Sequence, residues 1–255
     1  MNPLRALRYA RYYGNWRELS RARDAKAKPS LAVLRDGTRF EAPPEVNVVH
    51  VVTPVFHKRV YTPPGLEIRP GDAVVDVGAN VGAFSVFAAQ RTRGRVLAVE
   101  PHPDNARALR RNLQMNRLEN ASVAECAIAD APGTLPLFLG RTGTTHGLHP
   151  ISKDGGSGES VAVRVETLAA LLASHGFERV DFLKLDCEGA EGLILPSLPE
   201  SLLRQLRCVS LEFHDDVSAL RHEALAELFE RNGFAVRTHW DGDSPNGYMY
   251  ASRPG

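Results

Sequence analysis

The sequence predicts an α/β fold built on a mostly parallel sheet that ends in an antiparallel strand. Three observations lead to it. From residue 70 onward, short β-branched or apolar runs alternate with segments of helical composition, the pattern of βαβ units. The chain has 255 residues and is 43% hydrophobic, enough to bury one large core. Only residues 240–247 separate the last two strand-like runs, and Asp241-Gly242 and Pro245-Asn246-Gly247 are turn formers. A parallel crossover needs about a dozen residues or more, so the last strand is expected to run antiparallel to its predecessor.

Residues 1–30 read as a basic helical segment. Arg5, Arg8, Arg11, Arg17, Arg21, Arg23, Lys26 and Lys28 outnumber Glu18 and Asp24, while Leu4, Leu7, Tyr12 and Trp16 could line one side of a helix. Two readings stay open: a helix docked on the main body, or one that meets a membrane surface or a partner. Residues 31–69 read as a cap of short strands and turns. Asp36-Gly37 is a turn signal, Pro43-Pro44 and Pro63-Pro64 punctuate the stretch, and the β-branched run 46–52 suits a strand.

Residues 70–255 form the expected main domain. Its strands are placed at 73–77, 95–99, 122–127, 135–139, 180–185, 207–213, 234–239 and 248–251. Its helices are placed at 81–90, 103–115, 188–195 and 219–232. Pro103 suits a first helical position, Ala106, Leu109 and Leu113 share a face, and Gly233 sits where a helix would stop. Seven glycines between 130 and 160 break the rhythm. The stretch 140–160, with His146 and His149, reads as an inserted loop, a kind of segment that is usually functional or disordered.

Composition removes several function classes. Lys and Arg (31) nearly balance Asp and Glu (30), and a formal net charge of +1 disfavours a generic nucleic-acid binder. Cys126, Cys187 and Cys208 form no CxxC, so buried thiols in a reducing compartment are expected. No apolar run approaches the ~18 residues of a membrane span, and the N-terminus lacks the apolar core of a secretory signal. The expectation is a soluble, cytoplasmic protein.

The sharpest local signal is Asp76-Val77-Gly78-Ala79-Asn80-Val81-Gly82, which follows a strand and opens a helix. Such a turn lets a ligand approach the backbone where no Cβ intervenes. The glycines read G-x-x-x-G, which is neither the GxGxxG of nicotinamide sites nor a P-loop. Glu100 ends the next strand, eighteen positions after Gly82. An acid there can accept hydrogen bonds from both ribose hydroxyls and disfavours a 2′-phosphate. Loop and acid together point to a nucleoside-containing ligand.

Three blocks, DVGANVGAFSVFAA (76–89), VEPHPDNARALRRNLQMN (99–116) and DFLKLDCEGAEGLIL (181–195), resemble the FkbM family of S-adenosylmethionine-dependent methyltransferases. The likeness covers roughly residues 35–252. VRVETLAALL (163–172) is similar to the segment that precedes the third block, with Ala169 where the family commonly has Asp. The resemblance implies a Rossmann-like class I methyltransferase fold: a mostly parallel seven-stranded sheet, an antiparallel final strand and helices on both faces. It also implies S-adenosyl-L-methionine as methyl donor. Asp76, Gly78, Asn80 and Gly82 would then bracket its methionine and ribose portion. Glu100 would hold the ribose, with Pro101, His102 and Asn105 near the adenosine. Cys126, Ala127 and Ile128 would lie beside the adenine, and Asp130 could contact its amino group.

Lys184-Leu185-Asp186-Cys187-Glu188-Gly189-Ala190-Glu191 sits at a strand-to-helix junction, and Glu212-Phe213-His214-Asp215 ends the following strand. Both fall on the sheet edge where open α/β folds bind ligands. Asp186 is expected near the reactive sulfonium, with Glu188 also functional. Glu191 reads as an acid that favours the helix dipole, and Lys184 as an ion-pair partner. Asp186, Glu188, Glu212 and His214 offer oxygen ligands and one imidazole, a set that suits Mg²⁺ or another divalent cation. Equally, these acids could bind substrate hydroxyls. Methyl transfer to an aliphatic hydroxyl needs a group that removes its proton or raises its nucleophilicity. His214 is the first candidate base and His146 the second, with Asp186 and Glu188 beside them.

The expected activity is O-methylation of a hydroxyl on a small molecule, sugar or natural product. Methylation of nucleic acid is one alternative, although Asp186-Cys187-Glu188-Gly189 stands where many base-methylating enzymes carry an Asn/Asp-Pro-Pro-Tyr/Phe turn. A non-catalytic nucleoside-binding protein is another. A nicotinamide-dependent oxidoreductase conflicts with the missing GxGxxG. A homodimer stays open. Trp240, Tyr248 and the loop 140–160 are expected near the acceptor.

Overall fold

The computed structural model describes residues 3–149, 156–240 and 244–253. The basic N-terminal segment forms two helices, α1 (Pro3–Tyr12) and α2 (Trp16–Asp24). Tertiary contacts make the break between them. Tyr13 bridges to Leu34, and the Asn15 side chain bonds the backbone of Leu31 and Val33. Tyr9, Tyr13 and Leu19 are the buried anchors, whereas Leu7, expected on the packed side, is exposed.

A hairpin of β1 (Leu31–Val33) and β2 (Arg39–Glu41) follows. It turns at Asp36-Gly37, where the Thr38 N–H donates to the Asp36 carboxylate and Gly37 takes φ +90°. The β-branched run 46–52 is not a strand. Asn47 accepts a hydrogen bond from the Val49 N–H and caps α3 (Val48–Thr53), which continues into a π-helical turn, Pro54–Lys58. Val48, Val49 and Val52 are buried, so packing overrides their β propensity.

The remaining elements are β3 (Val74–Val77), α4 (Ala83–Thr92), β4 (Val96–Val99), α5 (Pro103–Met115), β5 (Ala121–Ala124), β6 (Ala127–Ile128), β7 (Gly133–Gly140), β8 (Gly156–Glu166), α6 (Leu168–Ser174), β9 (Phe182–Leu185), α7 (Glu191–Ile194), α8 (Glu200–Gln205), β10 (Cys208–His214), α9 (His222–Arg231), β11 (Ala235–Trp240) and β12 (Asn246–Ser252). Seven strands form the main sheet in the order β11-β12-β10-β9-β3-β4-β5. Strands β10, β9, β3, β4 and β5 run parallel. Strand β12 inserts antiparallel between β10 and β11, as its short connection requires. The expected helix 188–195 is shorter: α7 passes into a 3₁₀ turn, Leu195–Ser197.

Alternate residues of each strand face opposite sides of the sheet. Val74, Val96, Phe182 and Tyr250 join a core with α4, α5 and buried residues between Tyr9 and Ile68. Val75, Leu97, Leu183, Leu211 and Met249 pack instead against α6, α8 and α9. A separate three-stranded sheet, β6-β8-β7, has its own small core around Leu137, Val163 and Val165. The strand expected at 135–139 lies within β7, whereas the run 122–127 divides between the two sheets and the stretch expected as a loop at 140–160 includes the first residues of β8. Residues 150–155 of the expected loop and 241–243 of the last turn lie outside the described residues. No described helix is long and apolar enough to cross a membrane.

Candidate active site

Strand β3 lies between β4 and β9, so the chain order reverses there. At the carboxyl ends of these strands lies a cavity of ≈ 250 Å³, the place where open α/β sheets bind ligands.

Gly78 (φ +75°) and Gly82 (φ +88°) turn the chain from β3 into α4. The space they leave is taken by the protein rather than by a ligand. A Cβ on Gly78 would lie 1.7 Å from the Asp186 carbonyl oxygen, and one on Gly82 would lie 2.3 Å from Leu109 Cδ1. Between them, the Asn80 N–H donates to Glu100 at 2.8 Å, and the His102 N–H donates to the other carboxylate oxygen at 2.9 Å. Burial pushes the Glu100 carboxyl up to about 7 against those two donors. Gly78, Asn80, Glu100, Pro101, Asn105, Ala127 and Ile128, the residues expected near the donor, line the cavity. Glu100 beside the apolar Cys126–Ile128 wall can take a ribose and a flat ring.

Four expected cofactor contacts do not reach this cavity. Asp76 is fully buried, 3.1 Å from Lys184 Nζ, and accepts a 2.6 Å hydrogen bond from Ser85 Oγ. Its role is to anchor Lys184. Gly82 is closed off by Leu109. His102 contributes its N–H to Glu100 while its ring faces His146, with centroids 4.5 Å apart. Asp130 is exposed outside the cavity.

The other wall is acidic: Asp186, Glu188 and Glu212 converge there. Buried Lys184 sits behind it, 3.7 Å from Asp186, and donates to the Gly78 carbonyl at 2.8 Å. Burial lowers the Lys184 pKa, but Asp76 and Asp186 raise it by more, so it stays an ammonium. The Tyr61 hydroxyl donates to Asp186 Oδ2 at 2.7 Å and lies 3.3 Å from Glu212 Oε2. Burial first, and then the Asp186 charge, push Glu188 up to about 8 and Glu212 up to about 7. Carboxyls that change charge near neutrality are suited to general-base work.

His214 is the main correction. It is buried, does not line the cavity, and lies 3.5 Å from both Glu188 and Glu191. Burial alone would lower its pKa, yet Glu191, Glu188 and Asp186 outweigh it and raise it to about 10. An imidazolium cannot accept a proton; this one positions carboxylates. Glu191 is buried too and accepts the N–H groups of Cys187 and Gly189, which holds the turn into α7. His146 does line the cavity, but its Nδ1 accepts the Gly140 N–H at 3.1 Å. Burial, then His102, lowers its pKa to about 4. The neutral ring therefore carries its proton on Nε2 and is a donor, not a base.

The ligand atoms of Asp186, Glu188 and His214 lie within 4.8 Å of one another, a spacing that a divalent cation can bridge. Glu212 is not in that set. Of the residues expected at the acceptor, Tyr248 lines the cavity, as do Thr144, His146, Gly147 and Leu148 of the loop. Trp240 instead packs against Phe213 and His222. Sequence reasoning missed Tyr61 and His50, both in the cavity wall. They lie outside the three blocks, and nothing in their local pattern marks them.

The family profile described as Methyltransferase FkbM domain matches residues 76–236. The chain is 30% identical over 215 residues to 31-O-demethyl-FK506 methyltransferase FkbM of Streptomyces tacrolimicus, covering 73% of this chain and 82% of that one. It is 31% identical over 248 residues to AMB antimetabolite synthetase AmbE of Pseudomonas aeruginosa, covering 81% of this chain but only 12% of that longer protein. Among solved structures, precorrin-6y C5,15-methyltransferase from Geobacter metallireducens aligns with a TM-score of 0.50 at 13% identity, over 84% of this chain and 94% of that one. That likeness speaks for the Rossmann-like methyltransferase fold alone. The profile spans the glycine loop, Glu100 and the acidic wall in one stretch, and the chain belongs to the FkbM methyltransferase family.

Proposed function

We propose that the chain transfers a methyl group from S-adenosyl-L-methionine to a hydroxyl oxygen of a small acceptor, a sugar or a natural product. The observation that supports this most is the meeting of Asp186, Glu188 and Glu212 in the same cavity as the glycine loop and Glu100. The donor, when bound, supplies an electrophilic methyl on a sulfonium. Glu100 accepts the ribose hydroxyls, and Pro101, Cys126, Ala127 and Ile128 form the slot for the adenine. The acidic wall favours a cationic sulfonium beside it. Glu212 acts as general base: it lines the cavity, titrates near neutrality and is held by Tyr61. Asp186, fixed by Tyr61 and Lys184, orients the acceptor. The Streptomyces tacrolimicus relative has O-methylation in its name, which supports an oxygen acceptor here.

A second reading rests on the spacing of Asp186, Glu188 and His214, which fits Mg²⁺ or another divalent cation. A bound cation would lower the pKa of the acceptor hydroxyl. It requires His214 to release the proton that Glu191 and Glu188 hold on it.

Transfer of tritiated methyl to a panel of hydroxylated acceptors tests the proposal, with S-adenosylhomocysteine calorimetry on the same samples. Glu212→Gln is expected to keep S-adenosylhomocysteine binding and to lose about 10²–10⁴-fold in turnover. Unchanged turnover removes Glu212 as base. Activity lost in EDTA and restored by Mg²⁺ favours the cation. Absence of S-adenosylhomocysteine binding overturns the donor assignment.

A further inference from the structure

Beyond Tyr248 the reaction cavity adjoins a second, open groove of ≈ 480 Å³, which Tyr248 also lines. Sheet register ties the two spaces together. Glu212 of β10 pairs with Tyr248 of β12, and Tyr248 pairs with His239 of β11. Directly paired residues place their side chains on one face, so Glu212, Tyr248 and His239 form a row running from cavity to groove. Ser210, Tyr250 and Arg237 form the next row by the same register.

The charge changes sign along that path. The cavity holds Asp186, Glu188 and Glu212. The groove is lined by Lys58, Arg59, Arg237 and His239, and by no carboxylate among the described residues. Within those residues, neither Lys58 nor Arg237 has a carboxylate oxygen within 4.0 Å, and both side chains are exposed. Arg237 donates to the Pro64 carbonyl at 3.2 Å, which holds it at the groove. The Tyr250 hydroxyl donates to the Val60 carbonyl at 2.6 Å and fixes the groove wall. The Arg59 guanidinium lies over the Phe87 ring, 4.8 Å from its centroid, which leaves Lys58 and Arg237 as the open cations.

An anion in the reaction cavity would face three carboxylates, whereas in the groove it would face Lys58 and Arg237, which have no carboxylate partner among the described residues. We propose that the groove binds an anionic group, a carboxylate or a phosphate, carried by the acceptor whose hydroxyl is methylated beside Glu212. This rests on the methyl-transfer reading above and narrows it to acidic acceptors, such as hydroxy acids or sugars bearing a carboxylate or phosphate. Neighbouring strands lie about 4.8 Å apart, so the anion sits about 10 Å from the methylated oxygen, two strands away.

The test is calorimetric titration of the S-adenosylhomocysteine-loaded protein with citrate as the carboxylate probe, pyrophosphate as the phosphate probe and glucose as the neutral control. One or both anions are expected to bind, with affinity falling as NaCl is raised. Arg237→Ala and Lys58→Ala are each expected to weaken that binding about tenfold. Arg237→Gln and Lys58→Gln serve if an alanine variant melts early. The stronger probe identifies which anion the groove prefers. No anion binding at millimolar concentration, or binding that ignores both substitutions, overturns the proposal. Tighter binding of a single-stranded RNA through the same residues also overturns it and assigns the groove to a polymer. S-adenosylhomocysteine titrated separately reports the donor cavity, so its failure to bind counts against the methyl-transfer reading and not against the groove.

Discussion

Removing one oxygen atom tests how the acidic wall is organised. In Tyr61→Phe the ring remains, with its edge-on contacts to Phe84 (5.7 Å) and Tyr248 (5.8 Å). Only the hydroxyl that donates to Asp186 at 2.7 Å and lies 3.3 Å from Glu212 is lost. A hydrogen bond to a charged group contributes about 1.5–3 kcal/mol. Here one proton is shared unequally between two carboxylates, so the lower half of that range applies. About 1.5–2 kcal/mol corresponds to a loss of about 10–30-fold in methyl transfer. The direction of the pH effect also follows. Donation from Tyr61 favours the ionised form of Glu212, so its loss raises the Glu212 pKa above about 7 and moves the acid limb of turnover to higher pH. Carboxyl-carbon NMR of Glu-labelled protein reads the same titration without an acceptor. A Tyr61→Phe variant with full activity and an unmoved Glu212 titration would refute the reasoning. A loss of activity with that titration unmoved would confine Tyr61 to Asp186.

Other consequences can be measured without an acceptor. In the proposed donor site, ribose hydroxyls would bind the carboxylate form of Glu100, whose pKa burial pushes up to about 7. S-adenosylhomocysteine affinity should therefore be level at high pH and fall by up to about tenfold per pH unit below about 7. Glu100→Gln should bind weakly and without that slope; calorimetry from pH 5.5 to 8.5 decides. Gly78→Ala places a methyl 1.7 Å from the Asp186 carbonyl oxygen at φ +75°, and urea unfolding should show a loss of about 3 kcal/mol or more. Asp76→Asn leaves buried Lys184 short of a partner, and breaking such a pair costs about 3–5 kcal/mol. An unfolding curve within about 0.5 kcal/mol of the wild type would show that Asp186 and the Gly78 carbonyl suffice for Lys184.

What the sequence made legible was the part of the protein whose signal is local. The glycine loop, Glu100 and the strand–helix alternation from 70 onward each occupy a few neighbouring residues. The eight-residue gap before the last strand was enough to set its direction. Where a residue's state depends on distant neighbours, the sequence misled. His214 looked like a base from its place at a strand end, but Glu188 and Glu191 hold its proton. Asp76 looked like a ligand contact, but β9 brings Lys184 against it. The valines of α3 have strand-like composition, and only burial against the main core makes them helical. Tyr61 had no sequence signal because its partners, Asp186 and Glu212, lie more than a hundred residues away.

In the proposed site the acidic wall would also distinguish the two states of the donor. S-adenosylmethionine carries a sulfonium charge, and S-adenosylhomocysteine does not. Glu188 near 8 and Glu212 near 7 are partly protonated at neutral pH. A cation held beside them favours their ionised forms and drives protons off. In the proposed donor site both ligands would place a ribose at Glu100, so its contribution cancels when the two are compared. Binding of S-adenosylmethionine at pH 7 should therefore release more protons than binding of S-adenosylhomocysteine, and the difference should shrink in Glu212→Gln. Calorimetry in buffers of different ionisation enthalpy, with EDTA present, counts those protons directly. Equal release for the two ligands would mean that the sulfonium does not sit against Asp186, Glu188 and Glu212, and the acceptor geometry built on that wall would have to be redrawn.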